Sequence, residues 1–144
     1  MKNKEEIMKI LPHRDPMLLV ETAELKTNDE GIEEAHATYK VRGDEFFLQG
    51  HFPDNPVVPG VILVEMMAQS CCIFFEKQEG QCFLTTIQSA KFKSPVKPGD
   101  IVNITTKITK QARIFIFAES TIHVNGKLSA MAEFSFATMP KQGG

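Results

Sequence analysis

Two side chains in the stretch QGHFPDNPVVPGVILVEMMAQSCCIFFE, residues 49–76, are of the types that acid–base chemistry needs. His51 sits in a loop dense in glycine and proline. An imidazole, with an ordinary pKa near 6.5, can take up a proton close to neutral pH. Pro53, Pro56 and Pro59 stiffen that loop, and a base has to be held in place to be useful. The plainer alternative makes His51 a turn residue bonded to backbone. Glu65 is the one charge between Pro59 and Phe75. Desolvated among Val61, Ile62, Leu63 and Met66, a carboxyl is pushed toward its protonated form and can serve as an acid. Again there is an alternative. Glu65, Gln69, Cys72 and Glu76 recur at helical spacing, so they form either a solvent stripe or the wall of a cavity or subunit contact.

Between them, Pro59-Gly60 opens the apolar run. A helix start there presents free N–H donors and partial positive charge, and at Gly60 no side chain blocks a ligand's approach. A developing oxyanion can be held by such donors. Alone, the same residues are a plain helix start. The remaining histidines read as structural: His13 in a turn or cap, His36 in a strand beside acids, His123 before a hairpin turn.

The surrounding elements follow from pattern. Asn3 to Leu11 is a short amphipathic helix capped by Asn3, with Glu5 and Glu6 in its first turn and Pro12 ending it. Residues 17–26 and 32–41 are strands joined by the turn Asn28–Gly31. The long helix runs from about Pro59 to Lys77, with Gly80 marking the exit. Four strands follow, at 82–92, 101–110, 113–124 and 127–138. In the second of these, Ile101, Asn103 and Thr105 oppose Val102, Ile104 and Thr106. Asn125-Gly126 is the strongest hairpin signal, since both central positions of such a turn need positive φ. One apolar helix among antiparallel strands must be covered on nearly all sides. A curved antiparallel sheet wrapped around it does this, which makes the chain α+β with the hotdog architecture.

Bulk properties bound the rest. The 144 residues suit one domain, 1–144, with 42% hydrophobic and 24% charged residues. A net charge of -2 gives no global field to draw in nucleic acid or anionic membrane. Cys71, Cys72 and Cys82 form no CxxC pair or metal-ligand spacing, as expected of reduced thiols in a cytoplasmic protein. The N-terminus has acids and no apolar core, unlike a signal peptide. Glu65, Gln69 and Ser70 interrupt the 57–75 run, which argues against a membrane span.

Three blocks taken together, LPHRDPMLLVE (11–21), GHFPDNPVVPGVILVEMMAQ (50–69) and FKSPVKPGD (92–100), resemble the FabZ-type (3R)-hydroxyacyl-[acyl-carrier-protein] dehydratases of bacterial type II fatty acid synthesis. The likeness spans essentially the whole chain, in the family's order and spacing. It implies a hotdog dimer, possibly a trimer of dimers, with the active site at the subunit interface. It implies His51 from one subunit and Glu65 from the other as the catalytic pair. It implies the Gly60 N–H on the thioester carbonyl, and Gln69, Pro59 and Val61 as positioning residues. Phe74, Phe75 and Phe83 are candidates for the acyl tunnel. The expected partner is an acyl carrier protein bearing a 3-hydroxyacyl chain, with no metal or organic cofactor. The likeness departs at Ser94, where the family often has a basic residue, and at Asp54-Asn55, which replaces the common Gly-Lys. Alternatives of the same fold are a dehydratase/isomerase, a dehydratase of a polyketide or aryl polyene pathway, and an acyl thioesterase. A non-catalytic acyl-carrier binding protein is the alternative from another class.

Overall fold

The computed structural model describes residues 1–49, 54–75 and 81–139. His51 and Gly80 lie outside that set. Helix α1, Lys4–Met8, starts where Asn3 predicts. The Asn3 side chain accepts from the Glu6 N–H, and the Glu6 carboxylate accepts from the Asn3 N–H in return. This reciprocal cap satisfies two of the donors that a helix start leaves open.

Six strands form one antiparallel sheet in the order β1-β2-β4-β5-β6-β3. They are β1 Thr22–Thr27, β2 Glu33–Lys40, β3 Gln81–Phe92, β4 Ile101–Ala112, β5 Phe115–Val124 and β6 Lys127–Met139. The hairpin at Asn125-Gly126 has both residues at positive φ, 52° and 77°. In β4 the alternation holds: Val102, Ile104 and Thr106 are buried while Ile101 and Asn103 face out. The same inward face carries Ala35, Ala37 and Tyr39 from β2, and Ile116, Ala118 and Ile122 from β5. From β6 it receives Ala130, Ala132, Phe134 and Phe136.

Against this face lies α2, Gly60–Cys71. Met66, Met67 and Cys71 are fully buried, each apolar side chain contributing about 1.5–3 kcal/mol. The helix is fixed to the sheet by a buried chain of hydroxyls. Ser70 Oγ donates to the Met67 carbonyl at 2.7 Å and meets Thr106 Oγ1 at 2.7 Å, which meets Ser120 Oγ at 2.8 Å. These bonds explain how three polar groups survive in the core.

Several boundaries differ from the sequence reading. Helix α1 stops at Met8, short of Leu11, and Arg113, at φ 57°, turns the chain so that β5 begins at Phe115. Helix α2 tightens into a 3-10 turn at Cys72–Phe75, a common finish for an α-helix, and it carries Ile73 into the core. The strand expected from residue 17 pairs only from Thr22. Residues 17–19 bury Leu18 and Leu19, but the Met17 and Leu18 N–H groups turn back to the Arg14 carbonyl, and the Leu19 N–H and Met17 carbonyl bond to the Gln69 side chain of α2 instead of to a strand.

The loop after β2 is anchored by Glu45. Its carboxylate accepts from Tyr39 Oη at 2.8 Å, the Arg42 N–H at 2.9 Å and the Gly43 N–H at 2.7 Å. Burial raises its pKa, but those donors outweigh burial and leave it below the ordinary value. The Tyr39 phenol is raised by burial and by the same carboxylate.

Candidate functional site

Glu65 emerges midway along α2 and is partly exposed. Its Oε2 accepts a hydrogen bond from Gln69 Nε2 at 2.8 Å. The same oxygen lies 3.5 Å from His13 Nε2. Among the described residues its other oxygen, Oε1, has no partner.

Gln69 is only 1% exposed, so the stripe on this face of α2 is not a solvent face. Its amide has a full set of bonds. Oε1 accepts from the Leu19 N–H at 2.9 Å, and Nε2 donates to the Met17 carbonyl at 2.8 Å as well as to Glu65. Backbone groups on both sides therefore fix which end of the amide faces the carboxylate, and that end is a donor. Cys72, next along the face, is half-buried with Sγ on the Ala68 carbonyl at 3.7 Å. Burial, with Cys82 and Glu65 nearby, pushes its thiol up to about 12. It is a neutral packing group near pH 7, not a nucleophile.

At the other end of α2, Pro59 is the N-cap and Gly60 the first helical residue, one position later than a first-turn proline. The approach is pinned by the Val58 N–H donating to the Val96 carbonyl at 2.8 Å. The Pro59 carbonyl accepts from Ile62 and Leu63, while the Gly60 N–H has no acceptor among the described residues. The space beside Gly60 is not empty. A Cβ there would lie 2.9 Å from Phe92 Cζ. A larger residue at 60 would thus have to push aside an aromatic ring of β3, a constraint that the sequence pattern does not convey. A groove of about 530 Å³ opens beside this helix start, lined by Pro59, Gly60, Val61, Phe92 and Pro95 among others. Val61 stands out into solvent at 77% exposure.

The tunnel candidates separate. Phe74 and Phe75 pack partly buried against the core, Phe75 edge-on to Phe136 with centroids 6.5 Å apart. Phe83 lies half-exposed on β3. His51 lies outside the described residues. His13, read from sequence as a turn or cap residue, is in the turn before Asp15, and its ring reaches α2. No periodicity flags it, because its contact is 52 residues away in the chain. Among the described residues no three His, Cys, Asp or Glu side chains converge as a metal site would need. No helix among them is long and apolar enough to cross a membrane. A second hollow, of about 300 Å³, lies among sheet residues such as Lys107 and Glu119, which pair at 3.0 Å. It holds none of the site residues.

A single helix cradled by an antiparallel sheet, with a clasped carboxyl at its middle, defines a hotdog protein. The first solved neighbour is the dehydratase heterocomplex ApeI:P from Xenorhabdus doucetiae, with a TM-score of 0.76 at 19% identity, covering 94% of this chain and 91% of that one. A putative thioesterase from Ralstonia eutropha superposes with a TM-score of 0.62 at 17% identity, covering 80% and 83%. Sequence narrows what fold leaves open. The ApeI-like family model, described as ApeI dehydratase, matches residues 25–131. The 3-hydroxyacyl-[acyl-carrier-protein] dehydratase FabZ of Ehrlichia chaffeensis is 37% identical over 97% of this chain and 96% of its own. That of Clostridium perfringens is 38% identical over 95% and 99%. The chain belongs to this FabZ and ApeI-like family of hotdog dehydratases.

Proposed function

We propose that this chain dehydrates (3R)-hydroxyacyl thioesters carried on acyl carrier protein to trans-2-enoyl thioesters, in the cytoplasm and in the service of fatty acid synthesis. The observation that carries the reading is Glu65, clamped through one oxygen in a full-length relative of the FabZ dehydratases.

The reaction removes a C2 proton and expels the C3 hydroxyl as water. His51 takes the C2 proton. The electron pair moves toward the thioester oxygen, where the open Gly60 N–H and the N-terminal end of α2 stabilise the developing negative charge. The electrons return to form the C2–C3 double bond as the C3–O bond breaks. The free Oε1 of Glu65 delivers the proton that converts the leaving hydroxyl to water. Pro59 and Val61 shape the entrance at the helix start, and Phe74 and Phe75, rather than the half-exposed Phe83, are the better candidates for the acyl path.

Two copies make each site. Gly60 and Glu65 are five residues apart, so they point about 140° apart around the helix. One helix is thus poorly arranged to surround a single substrate with both. The edge strand β3 leaves Phe83, Leu84, Ile87 and Phe92 at least 40% exposed, and β3 of a second copy would cover them. In that dimer, His51 and Gly60 of one subunit face Glu65 of the other.

The test is complementation. His51→Ala and Glu65→Gln are each expected to lose nearly all hydration of a crotonyl thioester while remaining folded. Co-expressed, they form mixed dimers with one intact site of two. With random assortment, activity returns to about a quarter of wild type. Full activity in either single variant would overturn the residue assignment. Inactive mixed dimers would overturn the shared site.

The ApeI-like match and the heterocomplex neighbour favour a second reading, in which this chain works beside a different hotdog subunit. Turnover by the purified chain alone separates the two.

A further inference from the structure

We infer that His13 is a positioning residue for Glu65: with Gln69 it reserves Oε2 as an acceptor, so that Oε1 is the oxygen that carries the transferable proton. The inference rests on the dehydratase reading and adds a residue to it.

The geometry starts from the other side of the ring. His13 Nδ1 is buried and has no hydrogen-bond partner among the described residues. Burying an N–H donor without an acceptor is costly, while a bare ring nitrogen in the same place costs less. The proton of neutral His13 therefore sits on Nε2, the atom that faces Glu65 Oε2 at 3.5 Å. On this geometry His13 serves Glu65 as a donor through Nε2 and is not placed as the base. At 3.5 Å the contact is longer than a formed hydrogen bond. It complements the 2.8 Å bond from Gln69 Nε2, whose donor role is fixed by Leu19 and Met17.

Both nitrogens facing Oε2 are thus donors. A proton on Oε2 would meet two N–H groups head-on, whereas a proton on Oε1 meets none. The carboxyl is turned into a group with one anchored and one working oxygen.

Few other charges bear on it. Arg14 Nη1 is turned to the Leu11 and His13 carbonyls. Asp15 is paired with Lys4 at 3.0 Å. Cys72, in the 3-10 turn just past α2, has its thiol pushed up to about 12 by burial and so stays neutral through the working range. Among the described residues, His13 and Gln69 are the side chains that meet the Glu65 carboxyl.

The experiment measures kcat, KM and the pH dependence of kcat for His13→Leu, His13→Gln and Glu65→Gln in the intact homo-oligomer, using a 3-hydroxyacyl thioester on carrier protein. Leucine removes the donor. Glutamine returns an N–H close to the Nε2 position. His13→Leu is expected to lower kcat about ten-fold, as loss of one donor to an ionisable group does, with KM nearly unchanged. Its alkaline limb should move to higher pH, because one donor that favours the carboxylate form is gone. His13→Gln should restore most of kcat and return the limb. An unmoved limb in His13→Leu, or His13→Gln as impaired as His13→Leu, would overturn the inference while leaving the dehydratase reading intact. A fully active Glu65→Gln would instead overturn that reading itself.

Discussion

The sheet ends in β1 on one side and β3 on the other, and the two edges are finished differently. β1 has 6 residues. Glu24 and Lys26 pair along it at 3.1 Å, and its free side is partly closed by Lys2, whose N–H donates to the Ala23 carbonyl at 2.7 Å and whose carbonyl accepts from the Ala23 N–H at 3.1 Å. Short length, charge and a covering segment are the usual defences of an edge. β3 has 12 residues, and Phe83, Ile87 and Phe92 are each about half exposed along it. A long apolar edge invites another strand. The contrast marks β3 as the edge that the proposed dimer would cover. It also ties assembly to chemistry, because Phe92 of the open edge is the residue that packs on Gly60 at the helix start.

The largest effect should come from blocking the open edge. Ile87→Asp places a charge at the middle of β3, where the side chain is 47% exposed in a single subunit, so the subunit itself should still fold. In the proposed dimer that position would be covered, and an unpaired buried charge is not tolerated. The variant is expected to elute as a monomer with a native far-UV spectrum. Its turnover should fall about a hundred-fold or more, the scale on which misplaced catalytic groups act. A dimeric, active Ile87→Asp would mean that β3 is not the assembly edge.

A smaller effect is expected where the open edge meets the helix. In Gly60→Ala the new Cβ falls 2.9 Å from Phe92 Cζ, and the ring has to move. Overpacking of this kind costs about 1–3 kcal/mol, and a displaced N–H at the helix start weakens carbonyl polarisation. Thermal melts and kcat should both fall. Adding Phe92→Ala separates the causes. Alanine keeps the N–H, so a double variant that regains both melting temperature and kcat traces both losses to the ring. One that regains melting temperature alone would mean that the bare Cα of Gly60 is itself needed for substrate to reach the N–H.

These two edges also mark what residue patterns can and cannot convey. The Asn125-Gly126 turn, the alternation of β4 and the Asn3 cap are local, and each was legible from a few adjacent residues. The hotdog wrap followed, because one apolar helix had to be covered. Glu65 could be singled out as a lone acid in an apolar run, but its surroundings could not. Periodicity put Gln69 on a polar stripe, which is correct for the helix and silent about what faces it. Its partners Met17 and Leu19 come from a segment 50–52 residues upstream, and they turn a would-be surface glutamine into a buried clamp. The strand expected at residues 17–20 was misjudged for the same reason, since that segment bonds to the clamp and not to a neighbouring strand. Gly60 was legible as a helix start, while the ring that a larger residue would have to push aside is Phe92, 32 positions later.

The smallest effect is expected at the closed edge, and it supplies the control that gives the first variant its meaning. Leu25 is 38% exposed on β1 and stands opposite Ala35 in the register with β2. Leu25→Lys removes an exposed apolar side chain and leaves the backbone ladder untouched. Lysine on an edge strand is itself a natural guard against pairing. Surface changes of this sort shift stability by about 0.5 kcal/mol or less. Melting temperature, oligomeric state and turnover should therefore match wild type. A charge at the edge of the sheet is common to Leu25→Lys and Ile87→Asp, so a difference between them isolates position from chemistry. Should Leu25→Lys dissociate the protein, β1 would be the strand that meets the second subunit. Gly60 and Phe92 would then lie far from the interface, and the shared site built on β3 would fall with the edge assignment.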